Sequence, residues 1–560
     1  MIVLIARAAL ALSLLQGAPD SARLVRGARA AQMAFEAFRR NRLPTGPGMG
    51  GACEVRIGRY CYWRGDNEDD DTPPPEHPAV RQRRDELLRT LDSASRLIPG
   101  DGWIAGQRVR YLVEADRTDD AIRFALSDCR ASPAWCNALA GYAAHVGARY
   151  ATADSAYEAA LSAMDPAERC RWLDVSDLVA DDLEHRFKSL DCARREGFVR
   201  RLFWLGAPLY SISETDLLTE HLSRLTRARL AERSASIDGA AWADDVRSLV
   251  IRYGWSRWYT RTLPVMGSLR DASYTGHDAG VPYDFLPNAH AVEHLGSIVS
   301  DDWHLENDRA LTGYAPAYAR SVHEVPHQIA LFRRGDSTLV IAAWDARRDT
   351  TLLGRSLDAA LVLSADGARR AIETQTGAKV VGRIAATGLV DSGVVSLELL
   401  AAKDRRASRT RVGVAARDTT HRVTLSDLLL YAPTGSASNE LSAVRDSALA
   451  SAIIPATRGV GVYWETYGLR AEGEPVQFAL TVERIGVDWM HRAAEKLHLA
   501  DPTTSLRIQW DDVPQRVNGI AGRGVRVDLS RLVSGTYRMQ LTVTPVGEGA
   551  VSAVREIEVR

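Results

Sequence analysis

The sequence predicts a multidomain α + β protein, with N-terminal α-helical hairpin repeats followed by antiparallel β-sandwich domains. Three observations carry this. Trp103 and Trp135 lie 32 positions apart and Ala121 and Ala153 repeat that interval, a period that stacked helical hairpins produce. From about residue 325 the apolar spacing falls to two and stays there to the C-terminus, as in strands with one face in a core and one in water. At 560 residues the chain exceeds what one core supports, and about 150 residues per domain implies three or four.

Taken in order, Met1 to Leu15 is apolar apart from Arg7 and Ser13 and runs into Gln16-Gly17-Ala18-Pro19. It reads as an export signal over residues 1–22 with a small-residue cleavage region. Residues 23–43 are rich in Ala and Arg and predict a helix ending before Pro44, with a glycine-rich turn over 46–51. Cys53 and Cys61 flank a loop. The acidic run Asp66 to Asp71 then meets Pro73-Pro-Pro75, the composition of a solvated linker closing the region 23–77. Its oxygen ligands do not make a calcium loop, because Asp71 stands where the turn requires glycine.

A helical repeat domain is expected over 78–200. Leu87, Leu88, Leu91 and Leu97 mark one apolar stripe, and Trp135, Leu139, Tyr142 and Val146 a second at intervals of four, three and four. Ala153, Ala156, Tyr157, Ala160, Leu161 and Met164 line the partner helix before Pro166. The alanines allow close approach while Trp135 and Tyr142 fill the groove. An early aromatic, a small residue, a tyrosine, later alanines and a terminal proline resemble a tetratricopeptide repeat over about 100–166. In the first copy Arg110 stands at the tyrosine position. Helices at 79–98 and 170–200 supply the further units that stacking requires.

Residues 201–326 form a mixed connecting region. It contains Phe203-Trp204, Ala207-Pro208-Leu209-Tyr210, Glu214, His221-Leu-Ser-Arg224 and Ala228, then Ala241-Trp242-Ala243-Asp244-Asp245 and Leu249-Val-Ile-Arg-Tyr-Gly254. The series resembles the GWxTD-domain family of exported bacterial proteins. Trp242 and Asp245 match its motif, while Ala241 replaces the glycine and Asp244 the threonine. The resemblance implies a short strand ending at Tyr253-Gly254 and carries architecture without chemistry. Trp242 reads as a core anchor and Asp245 as a helix or turn cap.

Two sandwiches follow, at 327–435 and 436–560, separated at the break Pro433 to Ser438. Val476, Phe478, Leu480 and Val482 alternate with Gln477, Ala479, Thr481 and Glu483, and Tyr537, Met539, Leu541 and Val543 alternate with polar neighbours. Gly547-Glu-Gly549 reads as a hairpin loop.

Six cysteines fall in sequence-local pairs: Cys53 and Cys61, Cys129 and Cys136, Cys170 and Cys192. An even count so spaced suits disulfides in an oxidising compartment, with buried free thiols in a cytoplasmic protein as the alternative, and six cysteines allow fourteen other pairings. The short pairs lack the spacing of a zinc knuckle. The 70 basic and 71 acidic side chains leave a net charge of -1, which argues against a nucleic-acid partner or an acidic membrane surface. No later stretch is long and apolar enough for a membrane span.

The sharpest chemical motif is His323-Glu324-Val325-Pro326-His327, the His-Glu-x-x-His pattern of zinc peptidases. That site needs both imidazoles one turn apart on a helix. Pro326 interrupts the helix, and the following Gln328 to Phe332 reads as a strand, so no metal ligand or catalytic residue is assigned. His277, His290, His294 and His304 cluster in sequence without a spacing that makes a site. There is no Gly-x-Ser-x-Gly elbow, phosphate loop or dinucleotide fingerprint, and no cofactor is implied.

The leading expectation is an exported, non-enzymatic interaction protein of the bacterial envelope whose repeats offer a groove to a protein or peptide partner. One alternative is a hydrolase with its site in the junction 270–327. Another is a carbohydrate- or envelope-binding module, which requires aromatics such as Trp464 and Trp510 in an exposed row.

Overall fold

The computed structural model describes residues 21–46, 53–64, 73–262, 272–278, 283–305, 311–433, 435–456, 459–470, 473–485 and 505–560. Helices dominate the first half and antiparallel-rich sheets the second. The chain divides into two compact units, Met1–Pro208 with Ser213–Val292 and Trp303–Arg320, and Leu209–Ile212 with Glu293–Asp302 and Ser321–Arg560. The expected export signal, but for its last two positions, lies outside the described residues. So do most of the glycine turn and the acidic run Asp66 to Asp71.

In the first unit, helix α1 (Ser21–Arg40) buries Ala28, Gln32, Phe35 and Glu36, one face at helical spacing. Pro78 opens α2 (Pro78–Leu97) at a position where its missing N–H is not needed. Leu87, Leu88 and Leu91 are buried there, but Leu97, expected on the same stripe, is exposed in the last turn.

Two hairpins follow. Asp101 caps α3 (Gly102–Val113) through Ile104 N at 2.8 Å, and α4 (Thr118–Arg123) runs into a wide π turn, Phe124–Asp128. Ser132 caps α5 (Pro133–Val146), which packs on α6 (Tyr150–Ala163). Of the stripe expected on α5, Trp135, Leu139 and Tyr142 are buried and Val146 at its end is exposed, and the helix is buried almost all round.

Small residues set these distances. A Cβ on Gly141 would lie 2.7 Å from the Tyr157 ring, and one on Gly106 would lie 3.2 Å from Trp135 and 2.7 Å from Leu230. Trp135 donates to Gly102 O at 2.8 Å, whereas Trp103 is half-buried and donates to Ser234 Oγ at 3.1 Å. The two tryptophans thus share a period but not an environment.

Pro166 opens a helix instead of only ending one: α7 (Pro166–Trp172) is capped by Asp165. Then come α8 (Asp181–Ser189), α9 (Cys192–Gly206), α10 (Asp216–Ala231) and α11 (Asp244–Tyr253). The strand expected before Gly254 is therefore the end of α11, which Gly254 terminates at φ 86°.

The three cysteine pairs are disulfide-bonded as Cys53–Cys61, Cys129–Cys136 and Cys170–Cys192, with Cα separations of 5.4, 5.9 and 5.5 Å. The Cys53–Cys61 segment is a hairpin within a four-stranded sheet that the sequence pattern does not announce. Its strands are β1 (Val55–Ile57), β2 (Tyr60–Arg64), β3 (Trp258–Thr262) and β4 (Ser273–Asp278), in the order β1-β2-β4-β3 with β2 and β4 parallel.

The second unit holds two sandwiches. The strands β5 (Ser321–His323), β6 (His327–Arg334), β7 (Ser337–Asp345), β8 (Leu357–Ala365), β9 (Ala368–Ala378), β10 (Val381–Gly388), β11 (Gly393–Ala401) and β12 (Arg406–Val414) form the first. They make a three-stranded sheet, β10-β7-β6, and a five-stranded sheet, β5-β12-β11-β8-β9. Trp344, Leu361 and Leu397 are fully buried between the two.

The second sandwich begins earlier than the Pro433 break. Thr424–Leu425 (β13) and Leu429–Tyr431 (β14) already pair with β16 (Val460–Tyr467), so the junction falls between Val414 and Val423. Its other strands are β15 (Ile453–Ile454), β17 (Val476–Arg484), β18 (Leu506–Asp512), β19 (Ile520–Val527), β20 (Gly535–Pro545) and β21 (Val551–Val559). Val476, Phe478, Leu480 and Val482 face the core with Tyr537, Met539, Leu541 and Val543, and β20 turns into β21 at Gly547. Phe332, Tyr431 and Tyr463 join the two sandwiches in a smaller core, and Arg334 makes a two-point pair with Glu465 at 2.6 and 2.9 Å.

Candidate functional site

The motif His323-Glu324-Val325-Pro326-His327 is split between two sheets. His323 ends β5 in the five-stranded sheet and His327 begins β6 in the three-stranded one. His323 Nε2 meets the Asp349 carboxylate, Glu324 accepts from Ser300 Oγ at 2.7 Å, and His327 Nδ1 lies 3.0 Å from Val325 O. These contacts hold loops. Among the described residues no three His, Cys, Asp or Glu side chains are grouped as a metal site would require.

The other histidines form no such group either among the described residues. His277 is buried on β4, where Nε2 pairs with Thr260 Oγ1 at 2.8 Å and the ring stacks 3.7 Å from Trp258. Burial lowers its pKa to about 4. His290 and His304 belong to the first unit and His294 to the second. Of the two aromatics that a carbohydrate-binding face would expose, Trp464 is fully buried, and Trp510 is partly buried and stacks on Phe478 at 5.3 Å.

Trp242 is half-buried beside a cavity of about 60 Å³, short of the fully buried anchor expected. Asp245 is exposed in the first turn of α11 and its carboxylate accepts from Val246 N at 2.8 Å, while Ala243 holds the cap position. There it complements the positive end of the helix.

A large concave feature lies within the first unit. A cavity of about 1060 Å³ opens between the C-terminal ends of α1, α3 and α5, the start of α2, the inner face of α10, the segment 253–259 entering β3, and residues 313–317. Pro73, Pro74 and Pro75, expected as linker, form part of its wall. Tyr142 and Trp255, 5.6 Å apart edge to face, supply aromatic surface. Its size is at the upper end of ligand pockets.

Two charged networks run through its wall. In the first, Glu36 accepts from Tyr111 OH at 2.7 Å and from Arg110 Nη2 at 3.1 Å. Glu114 accepts from Arg39 at 2.8 Å, from Arg110 Nε at 2.9 Å and from Arg227 Nη2 at 3.4 Å. Burial pushes the Glu114 carboxyl up, but Arg110, Arg39 and Arg227 outweigh it and hold it well below the usual carboxylate range.

In the second network, His145 Nδ1 meets Thr219 Oγ1 at 2.8 Å and Nε2 meets Glu220 at 2.7 Å. Arg224 donates to Glu220 at 2.6 Å and to the carbonyls of Ile251, Arg252 and Gly313. Burial raises the Glu220 carboxyl, and Arg224 and His145 reverse this to about 2. Both imidazole nitrogens of His145 are engaged, which fixes the orientation of the ring. Arg224 ties α10 to the end of α11 and thereby fixes the cavity wall.

Of the residues singled out by sequence, Tyr142, Val146, Arg224, Tyr253 and Gly254 line this cavity together with the three prolines and Arg110; Trp135 and Tyr157 pack the helices behind it. Glu36, Arg39, Glu114 and Arg227 carry no sequence motif. The available signal was Arg110, a charge in the midst of the apolar run Val109 to Val113.

No family model matches the chain, and no curated protein matches it. Similar solved structures include red sea bream transglutaminase, 10% identical over 42% of this chain and 31% of that one, with a TM-score of 0.13. The chicken CNTN1 FN1–FN3 domains are 11% identical over 44% of this chain and 70% of that one, with a TM-score of 0.15. The chain spans about a third of the transglutaminase's length. Scores this low carry no argument about activity.

Proposed function

We propose that this chain is an exported, non-enzymatic binding protein of the bacterial envelope whose tetratricopeptide-like hairpins form one wall of a receptor for a peptide segment of a protein partner. The observation that carries it is the cavity of about 1060 Å³, walled by rigid helices and lined by aromatic and hydrogen-bonding side chains. Three disulfides favour an oxidising compartment. Among the described residues no helix is long and apolar enough to cross a membrane. The likeness to the GWxTD-domain family agrees with export and adds no chemistry.

The test uses a peptide array followed by calorimetry on the full chain and on Ala317→Trp. Ala317 is exposed and borders the cavity, so an added indole takes up space at its wall without entering the core. Binding by the wild type that weakens tenfold or more in Ala317→Trp is the expected result. Turnover of a peptide or ester that the same variant blocks would overturn the non-enzymatic reading and restore the hydrolase.

A further inference from the structure

We infer that the cavity is built for an anionic ligand, with an oxyanion, carboxylate or phosphate, seated at the Arg39–Arg110–Arg227 cluster. This rests on the binding reading and names the chemistry of what is bound. Among the described residues, eight arginines line the cavity against four carboxylates, Glu76, Glu114, Asp116 and Glu220. Glu36, behind the wall, reduces the excess to three. The whole chain has a net charge of -1, so this positive excess is local to the cavity. A cleft with an excess of one sign of charge favours a ligand of the other.

The cluster itself is short of anions. Arg39, Arg110 and Arg227 come from α1, α3 and α10, and among the described residues their ion pairs are with Glu36 and Glu114. Arg227 is the least satisfied. Its one hydrogen bond, to Glu114, is 3.4 Å long, its side chain is 14% exposed, and its buried Nη1 has no partner among the described residues. A guanidinium removed from water without a full set of acceptors is costly, and an arriving oxyanion supplies them with paired N–H donors. A turn of Arg227 toward the cavity loses only the long contact to Glu114. Arg110 and Arg227 also border the small cavity beside Trp242, so the cluster stands where the two spaces adjoin. Trp255 and Tyr259, shared by both cavities, offer ring surface to the organic part of the ligand.

The cluster does not discriminate a carboxylate from a phosphate by charge alone, and the experiment separates them. Titration calorimetry on the full chain compares a penta-glutamate peptide, a penta-glutamine peptide and inorganic phosphate, each at two salt concentrations. Wild type, Arg227→Gln, Arg227→Lys and the exposed rim variant Arg81→Glu are tested, with thermal unfolding as the folding control. Tighter binding of penta-glutamate than penta-glutamine, by tenfold or more, is expected. Arg227→Gln should remove most of that difference, Arg227→Lys only part of it, and added salt should weaken it. If Arg227→Gln does not fold, a severalfold loss of penta-glutamate affinity in Arg81→Glu supports the same conclusion, and an unchanged affinity there refutes it.

Phosphate binding that depends on Arg227, without peptide binding, keeps the anion site and sinks the peptide receptor. Equal affinity for the two peptides keeps the receptor and sinks the anion site. No binding by any probe refutes both.

Discussion

Arg110 sits where a tetratricopeptide pattern places tyrosine, and the side chain is nevertheless buried, because Glu36 and Glu114 meet its guanidinium from two sides. The neighbouring Tyr111 takes the fully buried aromatic place and donates to the same Glu36. Sequence alone registers Arg110 as a departure, since Glu36 is 74 positions away and such pairings leave no local pattern.

Two other buried groups make stability depend on pH with opposite signs. Burial raises Asp216, held by Tyr318 OH at 2.6 Å, to about 7. Its stabilisation is full below about pH 3.8, the unfolded value, and is lost as pH rises through about 7. Burial lowers His221 to about 3, so its stabilisation is present above about pH 6.5 and is lost as pH falls through about 3. Between roughly pH 4 and 6.5 the slopes oppose each other, each at most about 1.4 kcal/mol per pH unit. Asp216→Asn should therefore leave stability rising more steeply with pH over that window. Urea unfolding measured across it checks this, and an unchanged slope would mean that Asp216 ionises normally in the folded protein.

At the scale of elements, the alternation in β17 and β20 was legible because each strand has one face in the core, and the disulfides because each pair is close in sequence. The sheet β1-β2-β4-β3 was not. Its strands are short, and β2 pairs with β4 more than 200 positions away, Tyr60 against Tyr274, so no window along the chain contains the sheet. The strand before Gly254 is implied by the resemblance alone, and that local structure does not carry over: Val246, Leu249 and Ile251 are buried within the helix Asp244–Tyr253.

The hairpins depend on close packing that the period did signal. Trp135 is 4% exposed, donates to Gly102 O, and lies under the Arg229 guanidinium at 4.2 Å. Trp135→Ala should destabilise the helical unit by about 3 to 5 kcal/mol, from lost burial and the cavity left behind. Hydrogen exchange should show the loosening in α3 through α6 while the strands of the second sandwich keep their protection. Equal loosening in both would show that the two units unfold as one.

For the whole molecule, sequence order and structural unit are not the same thing. The boundary expected at residue 326 is approximate because the chain contributes Leu209–Ile212 and Glu293–Asp302 to the sandwich unit from within the helical half. The second of these segments runs beside β12, where a Cβ on Gly413 would fall 2.1 Å from Leu295 O. The first is held by Glu398 on β11, 1% exposed, which accepts from Tyr210 N at 2.7 Å, from Ser211 N at 2.9 Å and from Ser396 Oγ at 2.7 Å.

One buried carboxylate thus satisfies two main-chain donors of a segment that lies 187 positions before it in the chain. Glu398→Ala leaves both N–H groups without their acceptor, at a cost of about 2 to 4 kcal/mol. Glu398→Gln keeps one acceptor oxygen and should recover part of the loss. Denaturant unfolding gives the magnitude, and amide exchange at Tyr210 and Ser211 locates it. If those two amides stay as protected in Glu398→Ala as in the wild type, the segment is held by its packing against the sandwich and not by the carboxylate.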